Sequence, residues 1–179
     1  MNISTLKSNV IKNNQNPKKV LIALQYERLI SPSFFRIISE LPFHWKWMIR
    51  MHPYNVGDMG KLEKELVQRL ICNYEMELTN KQSISEILSN TDIILTEYST
   101  TAIDGFRYKI PVLFYGKVAE FYFKRYKENK NCFFANKPQK AIDLLNHISG
   151  KSIQSRIDKK DNLDYYKILD NKLEKALFK

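Results

Sequence analysis

The sequence predicts an α/β fold, a doubly wound, mainly parallel sheet with flanking helices. Short continuous apolar runs recur along the chain, helical patterns with start signals separate them, and two of the runs end in polar clusters. A continuous apolar run of about 4–8 residues suits a strand buried on both faces, as in a parallel sheet between two helix layers. Strands that alternate with helices through short connections make successive βαβ units.

Lys18 to Gln25 reads as the first strand, built on Val20-Leu21-Ile22-Ala23-Leu24. Ser31-Pro32-Ser33 opens a helix, with Ser31 as cap and Pro32 in the first turn. Phe34, Phe35, Ile37, Ile38 and Leu41 form its apolar face, and Pro42 stops it. Trp45 to Met51 is a second strand, ended by His52-Pro53. Asp58 to Ile71 carries helical periodicity through Leu62, Leu66, Val67, Leu70 and Ile71. Met76 to Thr79, with a weak apolar signal, is the expected third strand. Ser83, followed three residues later by Glu86, fits a capping box and starts a helix that runs to Asn90. A strand from Asp92 to Thr96, a helix from about Ser99 to Tyr108 and a strand from Val112 to Tyr115 follow. Val118 to Tyr126 reads as helical and Cys132 to Ala135 as a short last strand. Pro138 to Ile148 forms a helix with Gly150 just beyond its end. The expected division is a basic flexible segment over 1–17, a Rossmann-like domain over 18–150, and a charged linker with an amphipathic helix over 151–179. Ile168, Leu169, Leu173 and Leu177 share one face of that last helix.

A chain of 179 residues is most simply one domain, and 44% hydrophobic with 12% aromatic content excludes a mainly disordered chain. The net charge of +10 favours anionic partners: nucleotides, nucleic acid or an acidic membrane face. Cys72 and Cys132 are isolated, which argues against a disulfide framework or a structural zinc site, so no metal is expected. Met1 to Lys19 is polar, with Lys7, Lys12, Lys18 and Lys19 and no acid, and lacks the apolar centre of a signal peptide. No apolar run approaches the roughly 20 residues that span a bilayer. A cytoplasmic protein, with peripheral contact at the inner membrane face, is the expected setting.

None of the five glycines builds GxGxxG or GxxxxGK[ST], so both glycine-rich phosphate cradles are missing. Two strand ends carry chemistry instead. Arg50-Met51-His52-Pro53 places a cation and an imidazole past the second strand, and Pro53 biases His52 toward extended backbone. Thr96-Glu97-Tyr98-Ser99-Thr100-Thr101 places hydroxyls past a later strand and at a helix start, where anions bind. A phosphate held between the two is the reading that uses both. His52 would give an N–H to a phosphate oxygen, a bond that strengthens as charge builds on a departing phosphate. Ser99, Thr100 and Thr101 would add hydroxyls and amides, and Asp104, one turn on, faces a sugar. The plainer alternatives are a structural histidine, simple helix capping and a surface aspartate. Glu97 is either a general base or a partner of backbone amides and solvent, and His44 and His147 are assigned structural or surface roles. Phe121, Tyr122, Phe123 and Tyr126 interleave with Lys124, Arg125 and Lys127. That pattern accompanies nucleic-acid binding, but it fits an amphipathic helix better, with rings inward or on a partner surface, so nucleic acid is not the expected partner.

The order of these features resembles the C-terminal, nucleotide-binding half of GT-B glycosyltransferases. It is most similar to bacterial sialyltransferases, capsule-polysaccharide transferases and CDP-glycerol glycerophosphotransferases. The resemblance covers roughly residues 18–148 and rests on His52-Pro53, Ser83 to Leu88, Asp92 to Thr101, and Lys109 to Tyr115. It implies a cytidine-nucleotide donor, CMP- or CDP-linked, as substrate and no separate cofactor. By it, His52 and the Ser99-Thr100 pair contact the donor phosphate, Asp104 faces the ribose, and the loop near Thr79 to Ser85, with Thr79 and Ser83, lies by the base. It further implies transfer with inversion and a second Rossmann-like domain that binds the glycan acceptor. Only about 17 residues precede the first strand, so that domain is expected on another chain or outside this one, and transfer by this chain alone is not expected. A non-catalytic nucleotide-binding module and a UDP-sugar epimerase-like domain are the alternatives.

Overall fold

A computed structural model of the chain describes residues 18–25 and 30–151; the segment expected over 1–17, and that expected over 151–179 beyond its first residue, lie outside them. Six strands form one sheet: β1 (Lys19–Ala23), β2 (Lys46–Arg50), β3 (Tyr74–Glu75), β4 (Ile93–Thr96), β5 (Val112–Tyr115) and β6 (Cys132–Ala135). They lie side by side in the order β3-β2-β1-β4-β5-β6, and every pair is parallel. The helices are α1 (Pro32–Glu40), α2 (Met59–Gln68), α3 (Glu77–Lys81), α4 (Ile84–Ser89), α5 (Thr101–Arg107), α6 (Lys117–Phe123) and α7 (Pro138–Lys151). The expected doubly wound sheet is what forms.

Period-2 alternation along each strand divides the core between two faces. Val20, Ile22, Ile49, Ile93, Leu95 and Leu113 pack on one face with Phe34, Ile37 and Ile38 of α1, Leu62 and Leu66 of α2, and Leu145 and Ile148 of α7. Leu21, Met48, Ile94, Val112 and Phe114 pack on the other with Ile87 and Leu88 of α4, Ala102 of α5 and Ala119 and Phe123 of α6. Phe114 stacks on Phe123 and on Phe134, at centroid distances of 4.3 and 5.3 Å, which ties α6 and the edge strand β6 to the centre.

Local signals held where they were strong. Ser31 accepts the Phe34 N–H and caps α1. Ser83 and Glu86 make both bonds of the capping box on α4, and hydrogen bonds from Ser83 hold the Glu86 carboxyl below its usual pKa. Two boundaries differ from expectation. Strand β3 is only Tyr74–Glu75, and the stretch expected as strand is helix α3. The Asn80 side chain explains this: its amide donates to the Met76 and Ile49 carbonyls, while its carbonyl oxygen accepts the Met51 N–H. One side chain thus closes the α3 turn and occupies the backbone groups of β2 that a longer β3 would pair. Helix α7 also runs through Gly150 to Lys151.

Two contacts fix the middle of the sheet. Thr96 is fully buried and donates its hydroxyl to the Ala23 carbonyl at 2.7 Å, stitching β4 to β1 beyond their ladder. Gly105 lets α5 lie close on the sheet, because a Cβ there would run into Ile94 Cδ1. Gly105→Ala is expected to lower unfolding free energy by about 1–3 kcal/mol, through overpacking against a buried strand, read from the urea midpoint. Thr96→Val keeps the shape and removes the hydroxyl; a loss of about 1–2 kcal/mol is expected in the same assay.

Candidate functional site

In this strand order the chain winds one way from β1 through β2 to β3 and the other way from β4 to β6. The reversal lies between β1 and β4, and the crevice beyond the carboxyl ends of the strands at such a point is where open α/β sheets take ligands. Arg50, Ala23 and Thr96 stand abreast there in neighbouring strands. His52 therefore emerges beside one edge of β1 and Ser99 beside the other. At the ordinary strand spacing β2 and β4 lie about 10 Å apart, with the end of β1 between them.

On the β2 side, His52 has extended backbone (φ −64°, ψ 140°) and begins the 3-10 turn Pro53–Asp58. Its Nδ1 accepts the Tyr54 N–H at 3.4 Å, and its ring stacks on Tyr54 at 5.4 Å. An accepting Nδ1 assigns the proton of the neutral ring to Nε2, the atom that would donate to an anion. The turn is anchored to the neighbouring strand end. Asn55 donates from Nδ2 to the Gln25 carbonyl at 3.3 Å, and the Leu24 N–H donates to the Arg50 carbonyl at 2.9 Å.

On the β4 side the Ser99 N–H donates to Thr96 Oγ1 at 3.2 Å. The Thr101 N–H donates to Ser99 Oγ at 3.3 Å, which uses a lone pair and leaves the Ser99 hydroxyl able to donate. Thr100 sits at the helix start without a side-chain capping bond and is exposed, and Thr101 is half-buried. Asp104, one turn along α5, accepts from Arg107 at 3.1 Å.

Three expected site residues are engaged in the scaffold. Arg50 Nη1 donates to the Thr79 and Gln82 carbonyls at 2.9 and 3.0 Å, joining the end of β2 to the exit of α3. Partial burial lowers its pKa from the ordinary arginine value. Thr79 is 1% exposed and donates its hydroxyl to the Glu75 carbonyl. Its side chain is thus turned into the protein, and its own carbonyl holds Arg50. Ser83 spends its hydroxyl on the capping box with Glu86.

Gln25 was not legible as a site residue. It follows β1 at the switch point, lines a small cleft with Ser31, Phe34 and Glu97, and keeps its Nε2 buried without a hydrogen-bond partner among the described residues. A buried amide donor is costly to leave unmade, so a water or a ligand oxygen is its natural complement. The only advance signal was position, the first polar residue past the first strand. Size alone does not find this crevice: a groove of about 660 Å³ lies at the opposite end of the sheet, between the α1–β2 and α2–β3 connections, lined by Phe43, His44 and Leu70 among others. Among the described residues no group of His, Cys, Asp or Glu could hold a metal ion. None of their helices is long and apolar enough to cross a membrane.

No family model and no curated protein sequence matches the chain. Solved structures do. One is the C-terminal CMP-Kdo binding domain of WaaA from Acinetobacter baumannii, at 7% identity and TM-score 0.57, covering 84% of this chain and 89% of that one. Another is the C-terminal domain of a glycosyl transferase group 1 family protein (LpcC) from Francisella tularensis, at 13% identity and TM-score 0.55, covering 84% and 86%. A third is the UDP-GlcNAc 2-epimerase from Neisseria meningitidis bound to UDP-GlcNAc, at 17% identity and TM-score 0.55, covering 89% and 44%. The chain spans most of the two isolated domains and less than half of the epimerase. At these identities the likeness is one of fold: this is a Rossmann-like α/β domain.

Proposed function

We propose that this chain is the donor-nucleotide-binding domain of a glycosyltransferase that uses a cytidine-activated donor, CMP- or CDP-linked, in surface-polysaccharide synthesis at the cytoplasmic face. The observation that carries the reading is the placement of His52 and Ser99–Thr101 on the two sides of the switch point, each on a hydrogen-bonded support. In this reading His52 Nε2–H and the Ser99 and Thr100 hydroxyls hold the donor phosphate. Gln25 supplies one more N–H from the floor between them, and Asp104 faces the ribose. The hydrogen bonds to phosphate shorten as the sugar bond breaks and charge accumulates on the leaving group, which is how groups of this kind lower a displacement barrier. The glycan acceptor is bound by a second domain, N-terminal to this one or on a companion chain.

The likeness to a CMP-Kdo binding domain agrees with a cytidine donor, and the likeness to an epimerase bound to UDP-GlcNAc supports the second reading, a UDP-sugar site on the same frame. Calorimetric titration of CMP, CDP, UMP and UDP into the chain, His52→Ala and Ser99→Ala separates them. The expected outcome is cytidine-selective binding that weakens about 10- to 100-fold in each variant, the range for losing a hydrogen bond to a charged group. Unchanged binding in His52→Ala, with its thermal melt intact, would remove the phosphate site. Preference for UDP would move the assignment to the second reading.

A further inference from the structure

Helix α6 buries one side and leaves the other bare. Ala119 and Phe123 are 0% and 6% exposed, whereas Val118, Phe121 and Tyr122 are 50%, 80% and 63% exposed. Residues three and four apart share a helix face, so these three form one apolar patch, and Phe121 meets Tyr122 edge to face at 5.4 Å. Lys117, Lys124 and Arg125 are exposed around it. Glu120 is the only acid between Lys117 and Lys127, and its carboxylate is already taken by Lys127 at 2.8 Å. The basic-aromatic stretch noted in the sequence thus divides: Phe123 and Tyr126 pack on the aromatic cluster around Phe114 and Phe106, while Phe121 and Tyr122 face outward.

We propose that this face of α6 is a docking surface for an anionic lipid bilayer. An apolar aromatic centre rimmed by cations, whose one acid between Lys117 and Lys127 is paired, matches the headgroup–acyl boundary: rings enter the boundary and cations meet lipid phosphates. A protein partner would need to offer an apolar pit and a ring of acids in register; an anionic bilayer offers both everywhere. The patch also adjoins the switch-point crevice. Helix α6 starts at Gly116, directly past the carboxyl end of β5, and the Tyr122 ring lies 6.4 Å from that of Tyr98, the residue before Ser99. Docking by α6 would hold the crevice at the membrane surface, where a lipid-linked acceptor lies. That consequence rests on the donor-binding reading, whereas the docking itself does not.

Sedimentation of the full chain with vesicles tests the proposal. Phosphatidylglycerol–phosphatidylethanolamine vesicles are compared with phosphatidylcholine vesicles at about 0.15 M salt, where long-range attraction is largely screened. The variants are Phe121→Ser/Tyr122→Ser, which keeps every charge, and Lys117→Gln/Lys124→Gln/Arg125→Gln, which keeps the rings. The wild type is expected to pellet with the anionic vesicles only, and each variant to bind them about tenfold or more weakly. Both variants alter exposed side chains, so thermal melts should match the wild type; a lost nucleotide site would leave the vesicle result intact. Ring-variant binding equal to the wild type would overturn the proposal, since adsorption would then follow net charge alone. So would a wild type that stays in the supernatant. A lipid-free dimer that the ring variant dissociates would assign the face to a second copy of the chain instead.

Discussion

Strand β1 pairs with β2 on one side and β4 on the other, so that Ala23 faces both Arg50 and Thr96. Because sequence-adjacent strands would otherwise continue in one direction, this pairing makes the chain reverse between β1 and β4 and opens a crevice past their ends. Every candidate ligand contact is placed by it. His52 and Ser99 come from connections far apart in sequence, and only the insertion of β1 between their strands brings them to opposite walls of one gap. The buried Thr96 hydroxyl on the Ala23 carbonyl reinforces the same seam, and Thr96 Oγ1 also receives the Ser99 N–H. One threonine therefore fastens the sheet and aims the hydroxyl loop.

Phosphate sites built on glycine-rich loops use backbone amides whose positions follow from the loop itself. In the site proposed for this chain the phosphate-facing groups are side chains, and side chains must be held. The structure spends several polar residues on that task. Asn55 ties the His52 turn to Gln25, Asn80 clamps the Met51 amide and the Ile49 carbonyl, and Arg50 draws the α3–α4 connection against β2. A histidine held this way loses less freedom on meeting a ligand, and binding retains more of the energy of each contact.

Legibility in the sequence followed the range of the interaction responsible. The capping box of α4, the Ser31 cap and the apolar runs of β4 and β5 depend on residues within a few positions, and all were readable. The α/β class followed from their alternation. The third strand was misplaced because Asn80 acts across to β2, a contact 31 residues apart in the chain that no local pattern announces. Gln25 was passed over for the same reason: its importance lies in the neighbours that the β1–β4 pairing brings to it. Thr79 drew attention by residue type and order, yet its hydroxyl closes its own helical turn.

Arg50 shows how the two levels meet. Read locally, a guanidinium two residues before His52 is a phosphate contact. In the fold its Nη1 satisfies two carbonyls at the exit of α3, groups that would otherwise end a five-residue helix without donors. Both carbonyls lie in the segment just before the Ser83 cap, so the charge that reads as a ligand group also holds the α3–α4 connection against β2. Removing it would disturb the crevice through its frame even if no phosphate ever touched it.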